Sequence, residues 1–445
     1  MNKYINDNLD NMINDLASLV NINTELSDDE KPFGSNNIKV LNTTLNLFEK
    51  YGLKTTNLDN YCGFGEVGSG DKTIGIVAHL DVVPAGDGWK TDPFKLTRID
   101  DTLYGRGVSD DKGAVIASLY ALKYLIDTNY EFKKKVRLIV GCNEETGSKC
   151  IKHYVEKEGN VDMGFTPDGN FPGIYAEKGR IGASVVGKTK IIEIYGGDVS
   201  NAVCKKVTCK VLKNDLDLDK FMKYLDQYDI KYEINVKDEL TIIVYGKAAH
   251  ASTPELGVNA FNYLMEALFE AGYNDIYVNN FHKYFGLDLY GEKVGFKELE
   301  DDISNTTVNF GVISKKGDTL ESTIDIRYPV KTTKEKALDV IDSISSDDFK
   351  FVDRHASSPI FFDVNSPMIK ALDKAYRDVT KDYDSKMEAI GGGTYAKSIK
   401  GIIAFGCEFQ GENNHIHDVD ERLSIDSFIK QVEIYIEAIK NLNEV

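Results

Sequence analysis

The chain has 445 residues, more than one compact core accommodates, so two or three domains are expected. Its hydrophobic fraction of 42% is that of a globular protein, and 53 Lys and Arg against 71 Asp and Glu leave a formal net charge of -18. With no basic cluster beyond Lys133–Lys135, nucleic acid is excluded as a partner, while a negative field favours divalent cations or serves solubility alone.

The first stretch, MNKYINDNLDNMINDLASLV, is polar throughout, and no later run approaches the ~20 apolar residues of a membrane span. A cytoplasmic protein with no membrane partner is the expectation. Ile38, Leu41, Leu45 and Phe48 recur at helical spacing over 38–51, with Gly52 placed as a C-cap. TIGIVAHLD (73–81) and KVRLIVGCNEE (135–145) have the apolar, β-branched character of buried strands, and 112–126 between them predicts a buried helix. A helix over 148–158 and a short strand ending at Thr166, Pro167 and Asp168 follow. Strands alternating with helices predict an α/β fold, a mainly parallel sheet flanked by helices.

FPGIYAEKGR breaks this rhythm, and 180–356 is strand-rich with helices near 216–227 and 258–271. An inserted α+β domain over 179–357 is predicted, with 1–178 and 358–445 together forming the first domain. The latter segment holds a helix (366–380), GGGTYA, a strand in GIIAFGC, a histidine-bearing loop and a terminal helix, too few elements to bury a core alone. Six scattered cysteines without a CxxC pair are expected to be reduced structural thiols.

Polar residues of metal-ligand type fall just after predicted strands: His79 and Asp81, Asp110 and Asp111, Glu144 and Glu145, and Asp168. Sites in open α/β sheets form beyond the carboxyl ends of strands. His79 and Asp81, two apart, face one way in an extended segment. That spacing predicts Asp81 accepting a hydrogen bond from one imidazole nitrogen while the other faces a metal. Alone, each of these residues is an ordinary loop carboxylate or surface histidine; jointly they point to a metal centre. His415 and His417 in NNHIHDVDERL are both open as further ligands.

AHLDVVPAGDGW, YGRGVSDDKG, NEETGS, TPDG and HDVDE, in this order, resemble the two-metal exopeptidase family of carboxypeptidase G, aminoacylase and carnosinase. FPGIYAEKG and GGGTYA are most similar to its bacterial peptidase V branch. The resemblance implies two divalent metals per chain, zinc first, with manganese or cobalt as alternatives. One would be held by His79 and Asp168, the other by Glu145 and His417, with Asp110 bridging and a cis peptide between Asp110 and Asp111. It also explains the adjacent carboxylates: Glu145 turns to a metal, and Glu144 stays free as general base and then general acid.

In the inserted domain the resemblance implies that His250, in KAAHASTPELGVNA, stabilises the oxyanion as a lid histidine. Arg327 would grip the substrate carboxylate and Asn201 would hydrogen-bond the substrate, with a plain turn as the other reading for Asn201. Gly391, Gly392, Gly393 and Thr394 would offer backbone N–H groups to a carboxylate, although such a run also marks an ordinary turn. The long insertion implies a monomer, homodimerisation being the alternative, with a lid hinged near Ala176–Gly179 and 356–360.

The expected function is a metal-dependent dipeptidase acting on small unblocked peptides, Asp rather than Glu at 168 accompanying that activity in the family. The alternatives are an N-acyl amino-acid deacylase of the desuccinylase or deacetylase type and, from another class, an inactive peptide-binding relative.

Overall fold

The computed structural model describes all 445 residues, Met1–Val445, and divides into two compact units. The first comprises Met1–Ala176, Phe362–Glu388 and Gly393–Val445; the second comprises Glu177–Phe361 and Ala389–Gly392. The stretch Ala389–Gly392, expected with the first domain, belongs to the second unit. The reason is hydrogen bonding: the Ile390 carbonyl accepts from the Lys178 backbone N–H, and the Gly391 carbonyl accepts from the Arg327 guanidinium. No helix is long and apolar enough to cross a membrane.

In the first unit, the strand Thr73–His79 pairs in parallel with Lys135–Gly141 on one side and Met163–Thr166 on the other, and Ile402–Ala404 continues the parallel set. Cys62–Val67 and then, at the edge, Lys54–Leu58 extend the sheet with antiparallel pairing. Apolar runs buried on both faces specify this arrangement, since Thr73–His79 is buried from Ile74 onward. The helix Lys112–Asp127 is buried on nearly all sides and packs beside Ile425–Glu444, which also lies against Pro367–Thr380. The last part of the chain thus completes the core begun by the first. Because neighbouring strands run the same way in register (His79 opposite Gly141), their carboxyl ends open at one edge. There lie the loops that begin at Leu80, Cys142 and Pro167.

The second unit is an eight-stranded antiparallel sheet in the order Tyr232–Val236, Glu239–Tyr245, Lys206–Leu212, Glu193–Gly196, Thr307–Lys316, Thr319–Tyr328, Gly179–Lys188, Lys350–Ser357. Leu320, Ile324, Ile326 and Tyr328 alternate onto the face covered by the helices Ala260–Glu270, Ile276–Tyr284 and Lys334–Ile344. The opposite face carries Asp325 and Arg327, polar residues buried between their neighbours. All six cysteines are buried and unpaired.

Candidate active site

His79 closes its strand and is 1% exposed. Its Nδ1 lies 3.0 Å from the main-chain carbonyl of Asp81. A carbonyl only accepts, so Nδ1 carries a hydrogen and Nε2 is left to face Asp110, donating to its carboxylate when protonated and free to offer a lone pair to a cation when not. The Asp81 carboxylate, expected to make this contact, is 3.8 Å away. Instead it accepts the backbone N–H groups of Glu144 at 2.9 Å and Glu145 at 3.1 Å. The two-residue alternation behind the expectation holds only within a strand, and the strand ends at His79. Asp81 therefore fixes the paired glutamates rather than the imidazole. Burial raises its pKa to about 6.

Glu144 and Glu145 stand in a turn just past the strand Lys135–Gly141, closed by the Gly147 N–H donating to the Glu144 carbonyl. The turn, rather than strand alternation, parts their side chains. Glu145 Oε1 is 3.1 Å from His417 Nε2, whereas Glu144 groups with His79 and Asp168.

Asp110 is the centre of the cluster. Its Oδ1 lies 2.9 Å from His79 Nε2, and its Oδ2 lies 2.9 Å from His417 Nε2. One carboxylate thus presents one oxygen to each imidazole. The Asp110–Asp111 peptide is cis. Asp111 turns away, accepting the His79 backbone N–H at 3.1 Å. Asp168 Oδ2 is 4.0 Å from His79 Nε2. His417 adopts φ 61° in its loop and keeps 53% of its side chain exposed, while neighbouring His415 spends Nδ1 on the Val419 carbonyl.

Electrostatics follow from this crowding. Burial and the Asp110 charge push Asp168 up to about 7. Burial, then the Asp168 charge, raises Glu144 well above the ordinary glutamate value. Burial opposes ionisation of Asp110 too, but hydrogen bonds from His417 and His79 override it and hold its pKa well below normal. Hydrogen bonds to Asp110 and Glu145 raise His417 to about 10. Every ion-pair partner of Asp110, Glu145 and Asp168 is an imidazole. Without a cation the cluster holds protons to offset its carboxylates. The ligating atoms of His79, Asp110 and Glu145 lie within 4.8 Å of one another, as do those of His79, Glu144 and Asp168. Imidazole nitrogen and carboxylate oxygen at this spacing fit a divalent cation.

Three supporting residues had no role assigned from sequence. Glu421, 1% exposed, receives the backbone N–H groups of Gly107, Ser109 and Asp110 and the Arg106 guanidinium. It sets the loop that aims Asp110. Lys112 is buried and ties the loop to the carbonyls of Leu19 and Ile22; burial lowers its pKa to about 7. Tyr395 meets His79 edge-on at 6.1 Å between ring centroids. HDVDE and GGGTYA contain two of these residues, but spacing carries no signal of contacts with loops hundreds of residues away.

Within the second unit, His250 accepts the Ser252 backbone N–H at Nδ1, with Ser252 Oγ at 2.7 Å. The neutral ring then carries its hydrogen on Nε2. Burial and the Arg327 charge lower its pKa, which keeps it neutral. Arg327 is clamped on Asp325 through Nε at 2.6 Å and Nη2 at 3.2 Å, and its Nη1 donates to the Gly391 carbonyl at 2.7 Å. Asn201 accepts the Ala251 N–H on its own carbonyl, beside His250. His250, Asn201, Arg327, Gly391 and Gly392 thus share the second unit, whereas Gly393 and Thr394 fall in the first. Thr394 accepts the Ala396 N–H at its hydroxyl.

The chain matches peptidase family M20/M25/M40 over residues 75–441. It is 35% identical over 455 residues to the Bacillus subtilis protein named "Putative dipeptidase YtjP", with 97% of each chain covered. It is 34% identical over 456 residues to "Putative dipeptidase SH1171" of Staphylococcus haemolyticus, again with 97% of each covered. Among solved structures, human carnosine dipeptidase 1 superposes with a TM-score of 0.60 at 16% identity, covering 100% of this chain and 98% of that one. The di-peptidase Dug1p of Saccharomyces cerevisiae does so with 0.58 at 18% identity, covering 100% and 98%.

Proposed function

Because the chain belongs to peptidase family M20/M25/M40, we propose that it is a metal-dependent dipeptidase that hydrolyses small unblocked dipeptides. The observation that carries this reading is Asp110, which turns one oxygen to His79 and the other to His417 at 2.9 Å each. Full-length relatives named as dipeptidases support the substrate class. Two divalent cations, zinc first and manganese or cobalt as alternatives, would be held by His79 with Asp168 and by Glu145 with His417, Asp110 between them, and would supply Lewis acidity.

The protein groups do the rest. Glu144 takes a proton from the attacking water as its oxygen bonds to the scissile carbon, then passes that proton to the amine as the C–N bond breaks. A pKa raised by burial suits a group that must both accept and return it. Asp81 holds Glu144 and Glu145 through their backbone N–H groups. His250, neutral with hydrogen on Nε2, donates to the carbonyl oxygen as charge develops there. Arg327, oriented by Asp325, and the Gly391–Thr394 segment receive the substrate carboxylate, and Asn201 binds the peptide. The long inserted domain favours a monomer as the active form, with homodimerisation as the alternative.

Metal analysis of the purified protein, with hydrolysis assayed after chelation and re-addition of Zn, Mn or Co, tests the reading. Unblocked dipeptides should be cleaved in a metal-dependent way. Turnover of acetyl or succinyl amino acids alone would make it a deacylase, and peptide binding with no turnover under any metal condition would reduce it to a binding protein.

A further inference from the structure

His250 is exposed, and its own side chain bonds only to Ser252, two residues on. Its place in space is therefore set by its backbone. That backbone forms a short bridge with Ala202, flanked by the Val203 N–H on the Ala249 carbonyl and the Ala251 N–H on the Asn201 carbonyl, both at 2.9 Å. Two such rungs at an edge are weak on their own. Beneath them lies Asn309, 1% exposed, whose Nδ2 donates to the Ala202 carbonyl at 2.9 Å.

Asn309 is itself held. Its Oδ1 accepts from Asn259 Nδ2 at 3.1 Å, and that amide also reaches the Phe310 carbonyl at 2.8 Å. Asn259 Oδ1 meanwhile caps the helix Ala260–Glu270 through the N–H groups of Phe261 and Asn262. Two amides thus run head to tail from a helix N-terminus to the Ala202 carbonyl, every polar atom paired. The strand contributes a second device. Its register slips between Phe310 and Ile313, and Gly311 packs under the Val199–Ser200 backbone, where a Cβ would meet the Ser200 carbonyl oxygen at 2.6 Å. The turn leading to Asn201 has one seat.

Asn309 also lies directly across from Asp325 on the neighbouring strand, and Asp325 orients Arg327. One row of the sheet therefore carries both the aspartate behind Arg327 and the asparagine behind His250. We propose that Asn309 is a positioning residue for the reaction, fixing His250 by holding the Ala202 carbonyl. This rests on the role given to His250 under Proposed function. The helix cap does not need Asn309, because Asn259 Oδ1 makes it independently, so the contribution of Asn309 is to the His250 crossing.

A double-mutant cycle tests this, with kcat and KM measured on one unblocked dipeptide for the wild type, N309A, H250A and N309A/H250A, beside thermal midpoints and metal content. N309A should lower kcat about 10-fold or more, a part of the roughly 100- to 1000-fold expected of an oxyanion donor, with KM within about 3-fold and metal content unchanged. Added to H250A it should lower kcat by less than about 2-fold, because its target is gone. An equal N309A effect in both backgrounds, or kcat within about 2-fold of wild type, overturns the proposal while leaving His250 in its role. Wild-type kcat in H250A overturns the role of His250 and the proposal with it. If N309A does not fold, N309S, whose hydroxyl is too short to span to Ala202, carries the same cycle with the same outcomes.

Discussion

Replacing Asp81 by Asn separates what this buried carboxylate does for stability from what it does for turnover. In the metal-free protein, burial raises its pKa from the ordinary 3.8 to about 6. Keeping it ionised at neutral pH costs about 3 kcal/mol at 1.36 kcal/mol per pKa step. The folded pKa lies above the unfolded one, so its contribution to stability is complete below about 3.8 and is lost as pH rises through about 6. Asn removes that cost. It also turns an NH2 toward one of the two N–H groups of Glu144 and Glu145, losing a charge-assisted hydrogen bond of about 1.5–3 kcal/mol. The two terms nearly cancel, and D81N should unfold within about 2 kcal/mol of wild type at pH 7, with a flatter dependence on pH between 4 and 7. Turnover has no such offset. A turn released by 1.5–3 kcal/mol should lower kcat/KM by roughly 10- to 150-fold. Urea unfolding of chelated protein and steady-state hydrolysis with metal restored are the assays. A D81N enzyme with kcat/KM within 2-fold of wild type would refute the idea that Asp81 works by fixing the glutamate turn.

Glu144→Gln should keep metal content while kcat falls about 100- to 10,000-fold; near-normal turnover removes Glu144 from the mechanism. Metal affinity should tighten as pH rises from about 5.5 to 8, because the proton held by Asp168 at about 7 and that held by His417 at about 10 compete with the cation. Calorimetry in buffers of different ionisation enthalpy should register proton release on binding, and a pH-independent affinity contradicts this. Gly141→Ala places a Cβ 2.4 Å from the Tyr395 hydroxyl oxygen and 2.8 Å from Cys150 Sγ, in a buried site beside His79. The overpacking should cost about 1–3 kcal/mol in urea unfolding, and wild-type stability would show that Tyr395 has room to yield.

The periodic elements were readable from local pattern. The helix expected over 112–126 is Lys112–Asp127, and that expected over 366–380 is Pro367–Thr380, because apolar spacing alone decides which side faces a core. The residues of the metal-ligand type were readable as types at strand ends, and the structure brings His79, Asp110, Glu145, Asp168 and His417 to one edge of the sheet. The atoms they use were not readable. Asp81 spends its carboxylate on two N–H groups that only the fold brings near, and its main-chain carbonyl takes the imidazole. Glu421 and Asn309 were silent for the same reason, their partners being backbone groups remote in sequence. The stretch holding Gly391 joined the other unit through the Lys178 N–H on the Ile390 carbonyl and the Arg327 guanidinium on the Gly391 carbonyl, contacts that no composition rule anticipates.

The Asp110 loop is held by a segment roughly three hundred residues further along the chain: residues 107–110 hang on Glu421, and Asp110 faces His417. A ribosome that has made only the first four hundred residues has therefore made neither the histidine nor the glutamate that finishes the cluster. Assembly of the cluster thus waits on closure of a chain segment about three hundred residues long rather than on local folding of the 107–110 loop.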